Sequence, residues 1–338
     1  MTPEEIAVRL TEMGQPAYRA GQIFRWIHSG TGSFDKMTDL PAALRQELEK
    51  KFVIYSIKID KKLVSPGDNT VKYLYRLHDG ETVESVVMHY KHGSSVCISS
   101  QVGCKMGCGF CATGLGGFTR NLTASEMLAQ IMAAKKDLSI DINHAVLMGM
   151  GEPLDNFEAL SRFLTLVSHP QGLAISRRHI SVSTCGLVDG IYKLMETKPQ
   201  CTLSVSLHAP DDELRSRLMP VNRRWNIKEL LDACRRFTKE TGRRVSFEYA
   251  LIKDLNDAEE QAVRLAALLR GMKAHLNLIP MNAVKETPYR KSDRKRIMCF
   301  FKVLTNAGIN VTIRRTLGAD IGASCGQLRG KSPNNTDI

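Results

Sequence analysis

From about residue 95, the chain alternates between apolar segments and amphipathic segments, and this alternation restricts its fold more than any other feature. The apolar segments are predicted strands: Ser95–Ser100, His144–Met148, His179–Thr184, Thr202–Leu207, Val245–Ile252, Leu276–Pro280 and Asn310–Arg314. The amphipathic segments are predicted helices: Ala124–Lys136, Phe157–Val167, Val188–Glu196, Ile227–Lys239, Glu259–Leu269 and Asp293–Asn306. Such alternation predicts right-handed βαβ units around a parallel sheet, either open or closed into a full or partial barrel.

The first ninety residues follow a different pattern and are expected to form a separate module. A capping box at Thr2–Glu5, with proline at the first helical position, predicts a helix that ends near Met13. Two further short helices are predicted around Ile23–Ile27 and after Pro41. The segments Val71–Leu77 and Thr82–His89 predict a β-hairpin that would cover these helices.

Polar and glycine residues gather where the predicted strands end. In parallel-sheet folds, the chemistry lies at the carboxyl ends of the strands. One such residue alone is an ordinary turn or cap residue, but five strand ends that agree favour a ligand site at this rim. The residues are Cys104, Gly149–Glu152, Ser183–Thr184, Ser206–His208 and Asn282.

Three cysteines with the spacing Cys-x3-Cys-x2-Cys, Cys104, Cys108 and Cys111, lie in one glycine-rich loop. Thiolate is the soft ligand that iron-sulfur clusters require, and three thiolates leave one iron of a cubane cluster open to a further ligand. Two alternatives remain on spacing alone. One is a structural zinc site with a fourth ligand from Cys97 or a histidine, and the other is three buried core thiols.

The composition indicates a globular protein with an excess of positive charge. Of 338 residues, 47 are Lys or Arg and 35 are Asp or Glu, which gives a net charge of +12, and 43% are apolar. Distributed basic residues favour nucleic acid as a partner, against the alternative of a merely well-solvated basic surface. The absence of a signal peptide and of a long apolar run leads us to expect a cytoplasmic protein without membrane segments.

Several longer motifs resemble one branch of a known superfamily. The cysteine triplet, followed by Gly-Glu after the next strand, resembles the radical S-adenosylmethionine (SAM) superfamily. The stretches VCISSQVGC, FCATGLGGFTRNLTASE, LMGMGEPLDN, SVSLHAPDDELRSRLMPVNR and CGQLRG resemble its RlmN/Cfr branch, whose members methylate adenosine in RNA. This resemblance covers essentially the whole chain.

The resemblance implies an α/β fold, a partial (β/α)6 TIM-like radical SAM barrel with a small N-terminal helical accessory domain and a β-hairpin. The implied division is an RNA-binding accessory domain at 1–89, a radical SAM core at 90–319, and a C-terminal loop with a frayed tail at 320–338. The implied 4Fe-4S ligands are Cys104, Cys108 and Cys111. The positions implied to contact SAM are Gly151, Glu152, Ser183, Ser206, Leu207, His208 and Asn282.

The resemblance also implies roles for three residues outside the cysteine triplet. Cys325 would carry a methyl group taken from a first SAM, and a second SAM would be cleaved to a 5′-deoxyadenosyl radical that activates this methyl group. Glu84 would accept the proton from carbon 2 of the adenine. Cys97 would release the product by forming a transient disulfide with Cys325. The remaining cysteines, 185, 201, 234 and 299, are expected to be small core residues, although Cys185 follows a strand directly.

The implied substrates are an adenosine in the peptidyl-transferase centre of 23S rRNA and the adenosine 3′ to the anticodon in some tRNAs, both methylated at carbon 2. The alternative within the branch is methylation of the same rRNA base at carbon 8, as in enzymes that confer antibiotic resistance. Gln101–Cys104 and Glu152–Leu154 resemble the carbon 2 enzymes. A further alternative is a non-catalytic RNA-binding module held by zinc. An electron donor such as flavodoxin or ferredoxin and a monomeric state are also expected.

One position departs from the family pattern. Gly322 stands where the family commonly has an aspartate, which leaves the hydrogen bonding of the loop before Cys325 undetermined by the sequence.

Overall fold

The computed structural model describes residues 1–282, 284 and 286–330, so the predicted frayed tail at 331–338 lies outside the described residues. Three helices form at the N-terminus: α1 (Pro3–Glu12), α2 (Arg19–His28) and α3 (Ala42–Lys51). The Thr2 side chain accepts from the backbone N–H of Glu5, and the Glu5 carboxylate accepts from the N–H of Thr2. The predicted capping box is therefore confirmed, because these two bonds satisfy N–H groups that the helix itself leaves unpaired.

The predicted hairpin forms and becomes part of the main sheet. Its strands are β2 (Val71–Arg76) and β3 (Thr82–Tyr90), and they pair antiparallel with each other. A strand that the sequence did not predict, β1 (Lys58–Val64), pairs with the outer side of β2. On its other side, β3 pairs with β4 (Gly93–Cys97), so the hairpin extends the main sheet.

The seven predicted strands and six predicted helices of the core all form. In chain order after β4, the elements are β5 (Gln101–Gly103), α4 (Ala112–Leu115), β6 (Phe118–Asn121), α5 (Ala124–Leu138), β7 (Ile142–Leu147), α6 (Phe157–Val167), β8 (Ile180–Thr184), α7 (Val188–Glu196), β9 (Thr202–Ser206), α8 (Asp212–Leu218), α9 (Ile227–Thr241), β10 (Val245–Leu251), α10 (Glu259–Leu269), β11 (Ala274–Pro280), α11 (Arg294–Asn306) and β12 (Val311–Ile313).

The main sheet has the order β1-β2-β3-β4-β7-β8-β9-β10-β11-β12, and every pair from β4 to β12 is parallel. Six β/α units therefore follow one another and end in a seventh parallel strand. Among the described residues, β1 and β12 are the two edges of this sheet, so it stays open, as expected for a partial barrel. The small β5-β6 sheet stands apart and borders the loop that carries the cysteine triplet.

The N-terminal helices pack on the outside of the core. Arg162 of α6 donates to the Glu5 carboxylate at 2.8 Å, and the rings of Phe24 and His169 meet edge to face with centroids 4.7 Å apart. Between α3 and β1, the Tyr55 hydroxyl donates to Glu126 of α5 at 3.1 Å. The helical segment is thus held by the core helices α5 and α6. Within the described residues, no helix is both long and apolar enough to cross a bilayer.

Candidate active site

The cysteine triplet lies in a loop between β5 and α4 that backbone hydrogen bonds hold in place. The N–H of Cys104 donates to the carbonyl of Gly117 at 2.7 Å, and the N–H of Gly109 donates to the carbonyl of Leu218 at 2.9 Å. Gly103 has a φ of +75°, and a Cβ there would lie 2.0 Å from the Gly117 oxygen. This close approach of two backbone segments requires glycine. We call residues 104–111 the cluster loop.

The three thiols of the cluster loop are close enough to interact electrostatically. Burial raises the pKa of Cys104 to about 12, with smaller contributions from Glu152 and Cys111. Burial also raises the pKa of Cys108, and the other two thiols raise it further. Burial favours the protonated thiol as long as no metal is bound. Metal binding displaces this proton, so the bound form is the thiolate.

The three thiols of the cluster loop are donors of the type that a cubane cluster takes. In the part of the chain that the structure describes, no group of three or more His, Cys, Asp or Glu side chains is arranged to hold one metal ion. A cubane cluster needs thiolates that are further apart than the ligands of one ion, because each thiolate binds a separate iron. The zinc alternative needs Cys97 or a histidine as a fourth ligand, and Cys97 lines a cavity together with Cys325. Three soft donors in a glycine-rich loop are the set that a cluster requires.

Glu152 is buried beside the cluster loop and is held rigidly. Its two carboxylate oxygens accept from the backbone N–H of Cys185 at 2.7 Å and of Leu154 at 3.1 Å. Burial raises the pKa of Glu152, and these two hydrogen bonds oppose the rise. Gly151 before it has a φ of +101°, and a Cβ there would lie 2.6 Å from the Gln101 side chain. The Gly-Glu pair is therefore fixed at the end of β7, next to Cys104.

The residues at the ends of β8 and β9 are connected by one buried arginine. Arg215 of α8 donates to the carbonyls of Cys185 at 2.6 Å, Ser206 at 3.1 Å and Leu207 at 3.2 Å. A guanidinium with several donors in fixed directions suits this task better than a lysine would. The sequence analysis did not identify Arg215. The available sign was its spacing, because it lies three positions before the apolar Leu218 and therefore on the same face of α8.

His208 follows β9 and packs against the cluster loop. Its ring meets the ring of Phe110 edge to face with centroids 4.9 Å apart, and its Nδ1 accepts from the N–H of Ala250 at 2.9 Å. Burial lowers the pKa of His208 to about 3, and the nearby Arg215 contributes to this effect. His208 is therefore neutral at ordinary pH. Ser183, at the end of β8, donates its hydroxyl to the carbonyl of Leu147 at 2.5 Å.

The segment that contains Cys325 is hydrogen-bonded to the residues that follow the cluster loop. The N–H of Ala112 donates to the carbonyl of Gly326 at 2.8 Å, and the Thr113 hydroxyl donates to the carbonyl of Leu328 at 2.7 Å. On the other side, the amide of Asn282 donates to the carbonyl of Cys325 at 3.3 Å. The structure thus brings Cys325 next to the cluster loop, although more than two hundred residues separate them in sequence.

Cys97 and Cys325 line the same small cavity, which has a volume of about 40 Å³. Both are free thiols. Burial raises the pKa of Cys97 to about 12; the neighbouring Cys325 raises it further, whereas Arg314 opposes the rise. Arg314 directly follows β12, lines this cavity and lies 3.9 Å from the buried carboxylate of Glu248.

Glu84 of β3 is buried at the same end of the sheet. Its Oε1 lies 2.9 Å from Nζ of Lys72, and its Oε2 accepts from the backbone N–H of Arg329 at 2.7 Å. The other cysteines divide in two groups. Cys201 and Cys234 are buried in the core as expected, and Cys185 is buried at the strand ends near Cys108.

The expectation for Cys299 is wrong. It lies on the solvent side of α11, where its thiol donates to the Glu259 carboxylate at 2.6 Å. The apolar residues Ile297 and Phe300 of the same helix are the ones that enter the core. A helix turns about 100° per residue, so neighbours in sequence face different sides.

Comparisons with known proteins identify the family. A model described as the radical SAM superfamily matches residues 98–266, and a model described as the ribosomal RNA large subunit methyltransferase N-terminal domain matches residues 1–54. A Clostridium acetobutylicum protein named probable dual-specificity RNA methyltransferase RlmN is 48% identical over 325 residues, which cover 96% of this chain and 94% of that protein. A protein of the same name from Alkaliphilus oremlandii is 48% identical, with coverages of 99% and 98%.

A solved structure gives the same result in three dimensions. The crystal structure of a radical SAM methyltransferase from Sphaerobacter thermophilus matches with a TM-score of 0.94 at 44% sequence identity, and the match covers 98% of both chains. The family models, the full-length relatives and this structure agree with one another. The chain therefore belongs to the RlmN family of RNA methyltransferases within the radical SAM superfamily.

Proposed function

We propose that this chain methylates carbon 2 of an adenosine in the peptidyl-transferase centre of 23S rRNA and of the adenosine 3′ to the anticodon in some tRNAs. Relatives named as dual-specificity RNA methyltransferases support two RNA substrates. The observation that carries the proposal is the position of Cys325. Its segment rests on Ala112 and Thr113 beside the cluster loop, and its side chain lines one cavity with Cys97.

Membership in the radical SAM superfamily implies a 4Fe-4S cluster and SAM as cofactors. Cys104, Cys108 and Cys111 are the proposed cluster ligands, since their loop offers three thiolates to three separate irons. The proposed SAM contacts are the strand-end residues around this loop. They are Gly151, Glu152, Ser183, Ser206, Leu207, His208 and Asn282.

In the proposed reaction, the Cys325 sulfur takes a methyl group from a first SAM by substitution. When bound, the cluster and a second SAM would supply a 5′-deoxyadenosyl radical that takes a hydrogen atom from the S-methyl group. The resulting carbon radical would add to carbon 2 of the base, and the odd electron of the adduct would return to the cluster. Glu84 accepts the proton that leaves carbon 2, and the electron pair of the broken bond stays in the ring. Cys97 then gives up its thiol proton and attacks the Cys325 sulfur, so a disulfide forms as the bond from sulfur to the methylene carbon breaks. That carbon takes up a proton, which completes the methyl group on the base.

The proposed partners follow from charge and from the family. The net charge of +12 supports attraction of an RNA backbone. The N-terminal module would hold RNA through its shape and phosphates. We also propose that a small electron carrier such as flavodoxin or ferredoxin supplies the electron and that the enzyme acts as a monomer.

Removal of Cys325 tests the carrier role. Cys325→Ala should abolish methylation of RNA, because no sulfur remains to take the methyl group. Cys299→Ala is the matched control, since Cys299 is also a free thiol but lies on α11. The measurement is methyl transfer to 23S rRNA fragments and tRNA under anaerobic conditions. Turnover by Cys325→Ala would overturn the role.

Removal of Cys97 tests the release step. Cys97→Ala should trap the protein on RNA as a covalent adduct, because no thiol remains to attack the Cys325 sulfur. A shift in denaturing electrophoresis that is sensitive to ribonuclease measures the adduct. Free methylated RNA formed at the normal rate would contradict the assignment.

Product analysis separates the proposed function from its alternatives. Mass spectrometry of digested RNA should find 2-methyladenosine, with one S-adenosylhomocysteine and one 5′-deoxyadenosine formed per methyl group. Product at carbon 8 alone would favour the resistance-type reaction. A colourless protein that holds zinc and no iron after anaerobic reconstitution would favour a non-catalytic RNA-binding module.

A further inference from the structure

A single buried ion pair connects the β-hairpin to both ends of the segment that carries Cys325. Lys72 lies on β2 and Glu84 on β3, and their side chains form a diagonal pair on one face of the hairpin. Lys72 Nζ lies 2.9 Å from Glu84 Oε1, and the two side chains are only 12% and 8% exposed. Among the described residues, this is the ion pair in which Glu84 takes part.

Each partner makes one further bond, and the two bonds flank Cys325. Lys72 Nζ donates to the carbonyl of Gly322 at 3.0 Å, three residues before the cysteine. Glu84 Oε2 accepts from the N–H of Arg329 at 2.7 Å, four residues after it. We call residues 322–329 the carrier loop. The pair therefore fastens the carrier loop at both ends, while Ala112 and Thr113 support its middle.

The backbone of the hairpin is itself fixed at this point. The Ser99 hydroxyl donates to the carbonyl of Glu84 at 2.6 Å and accepts from the N–H of Met150 at 2.9 Å. Gly330 lies directly after the carrier loop, and a Cβ there would lie 2.7 Å from the carbonyl of Thr82. The Lys72–Glu84 pair thus connects the carrier loop to a part of the sheet that is itself held by hydrogen bonds.

We propose that Lys72 is a positioning residue: together with Glu84 it clamps the carrier loop, and proton uptake by Glu84 opens the clamp. This inference rests on the proposed function for the roles of Glu84 and Cys325. An ionised carboxylate only accepts hydrogen bonds, so it holds Lys72 and the Arg329 N–H at once. When the proton from carbon 2 reaches Glu84, an O–H bond forms, the charge is neutralised, and the attraction to Lys72 is lost. The carrier loop is then released at the stage at which Cys97 must reach the Cys325 sulfur.

The test measures how accessible the Cys325 thiol is to a small alkylating reagent in the reconstituted enzyme without RNA. The rate of Cys325 alkylation by iodoacetamide is followed by peptide mass spectrometry in the wild type, Lys72→Met, Lys72→Arg and Glu84→Gln. Lys62→Met is the matched control. Lys62 lies on β1 of the same sheet and forms an ion pair with Asp137 of α5, away from the carrier loop.

The clamp predicts that Lys72→Met and Glu84→Gln alkylate about tenfold faster or more, since each leaves a buried charge or acceptor without its ionic partner. Lys72→Arg should restore most of the protection, and Lys62→Met should match the wild type. In single-turnover methylation, Lys72→Met should be slower than the wild type, and Lys72→Arg should recover part of the rate. A circular dichroism spectrum equal to that of the wild type identifies the folded variants. If Lys72→Met does not fold, the alkylation rate of Glu84→Gln tests the clamp instead.

The two ideas fail in different ways. If the wild type makes no methylated RNA, the proposed function fails, yet the alkylation rates still decide whether the clamp exists. If the wild type methylates RNA while Lys72→Met and Glu84→Gln alkylate at the wild-type rate, the clamp is overturned and the proposed function stands.

Discussion

Replacing Gly103 by alanine should destabilise the protein far more than replacing Gly117, which lies opposite Gly103 directly before β6, by alanine. Gly103 and Gly117 both have a positive φ, of +75° and +78°. A Cβ on Gly103 would lie 2.0 Å from the Gly117 oxygen and 2.9 Å from its carbonyl carbon, whereas a Cβ on Gly117 has nothing within 4 Å. That oxygen is the acceptor for the N–H of Cys104 at 2.7 Å.

The expected free-energy costs follow from these contacts. A left-handed conformation costs an alanine about 1–2 kcal/mol at either position. At Gly103 the forced shift of the neighbouring backbone adds about 1–3 kcal/mol. Gly103→Ala should therefore lower the free energy of unfolding by about 2–5 kcal/mol, and Gly117→Ala by about 1–2 kcal/mol.

The assay compares urea unfolding of the two variants with that of the wild type and measures iron bound after anaerobic reconstitution. Gly103→Ala should unfold at a lower urea concentration than Gly117→Ala and bind less iron. Equal unfolding midpoints and equal iron contents in the two variants would refute the argument from the close backbone contact.

Two further predictions concern buried groups at the strand ends. Arg215→Met should lower the free energy of unfolding by about 3 kcal/mol or more in urea unfolding. The carbonyls of Cys185, Ser206 and Leu207 lose their donor, at about 1–3 kcal/mol for each buried acceptor left unpaired, and a total loss below about 1 kcal/mol would contradict this. Burial holds the pKa of His208 near 3, below its usual 6.5, so the neutral form is favoured in the folded chain and stability falls as pH drops from about 6.5 towards 3. His208→Asn keeps an acceptor for the N–H of Ala250 and does not titrate. Between pH 6.5 and 3, its free energy of unfolding should therefore fall less steeply than that of the wild type, by about 1.4 kcal/mol per pH unit, and equal slopes would contradict this.

The alternation of strands and helices was enough to predict the core. Each β/α unit carries its own signals, such as the capping boxes that begin α5 and α9, and all six units form. The rule that ligands lie at the carboxyl ends of parallel strands predicted that Glu152 and His208 share one rim of the sheet. Local pattern and global topology agree in this part of the chain.

The strand β1 was not predictable because its pattern does not alternate. All but one of its seven residues are exposed, and it contains three lysines. Exposed lysines are typical of edge strands, where they discourage pairing with another chain. Such a strand is defined by its neighbour β2 and not by its own hydrophobic period.

The clamp around Cys325 was also beyond sequence reasoning. Its contacts join residues about 250 positions apart in the chain, and two of them use backbone atoms, which any residue type provides. The departure at Gly322 is explained in the same way. The carbonyl of Gly322 accepts from Lys72, and its φ of +61° suits glycine, so the side chain that the family has there is not needed for this bond.

In the proposed enzyme, three thiolates hold a cluster with one open iron to which SAM binds. The most direct measurement is electron paramagnetic resonance of the reduced, anaerobically reconstituted enzyme with and without SAM, together with its iron and sulfide content. We expect about four irons and four sulfides per chain and a spectrum that changes when SAM is added. Cys108→Ala should lose both the bound iron and the spectrum. A chain without iron, or a cluster whose spectrum SAM leaves unchanged, would contradict it.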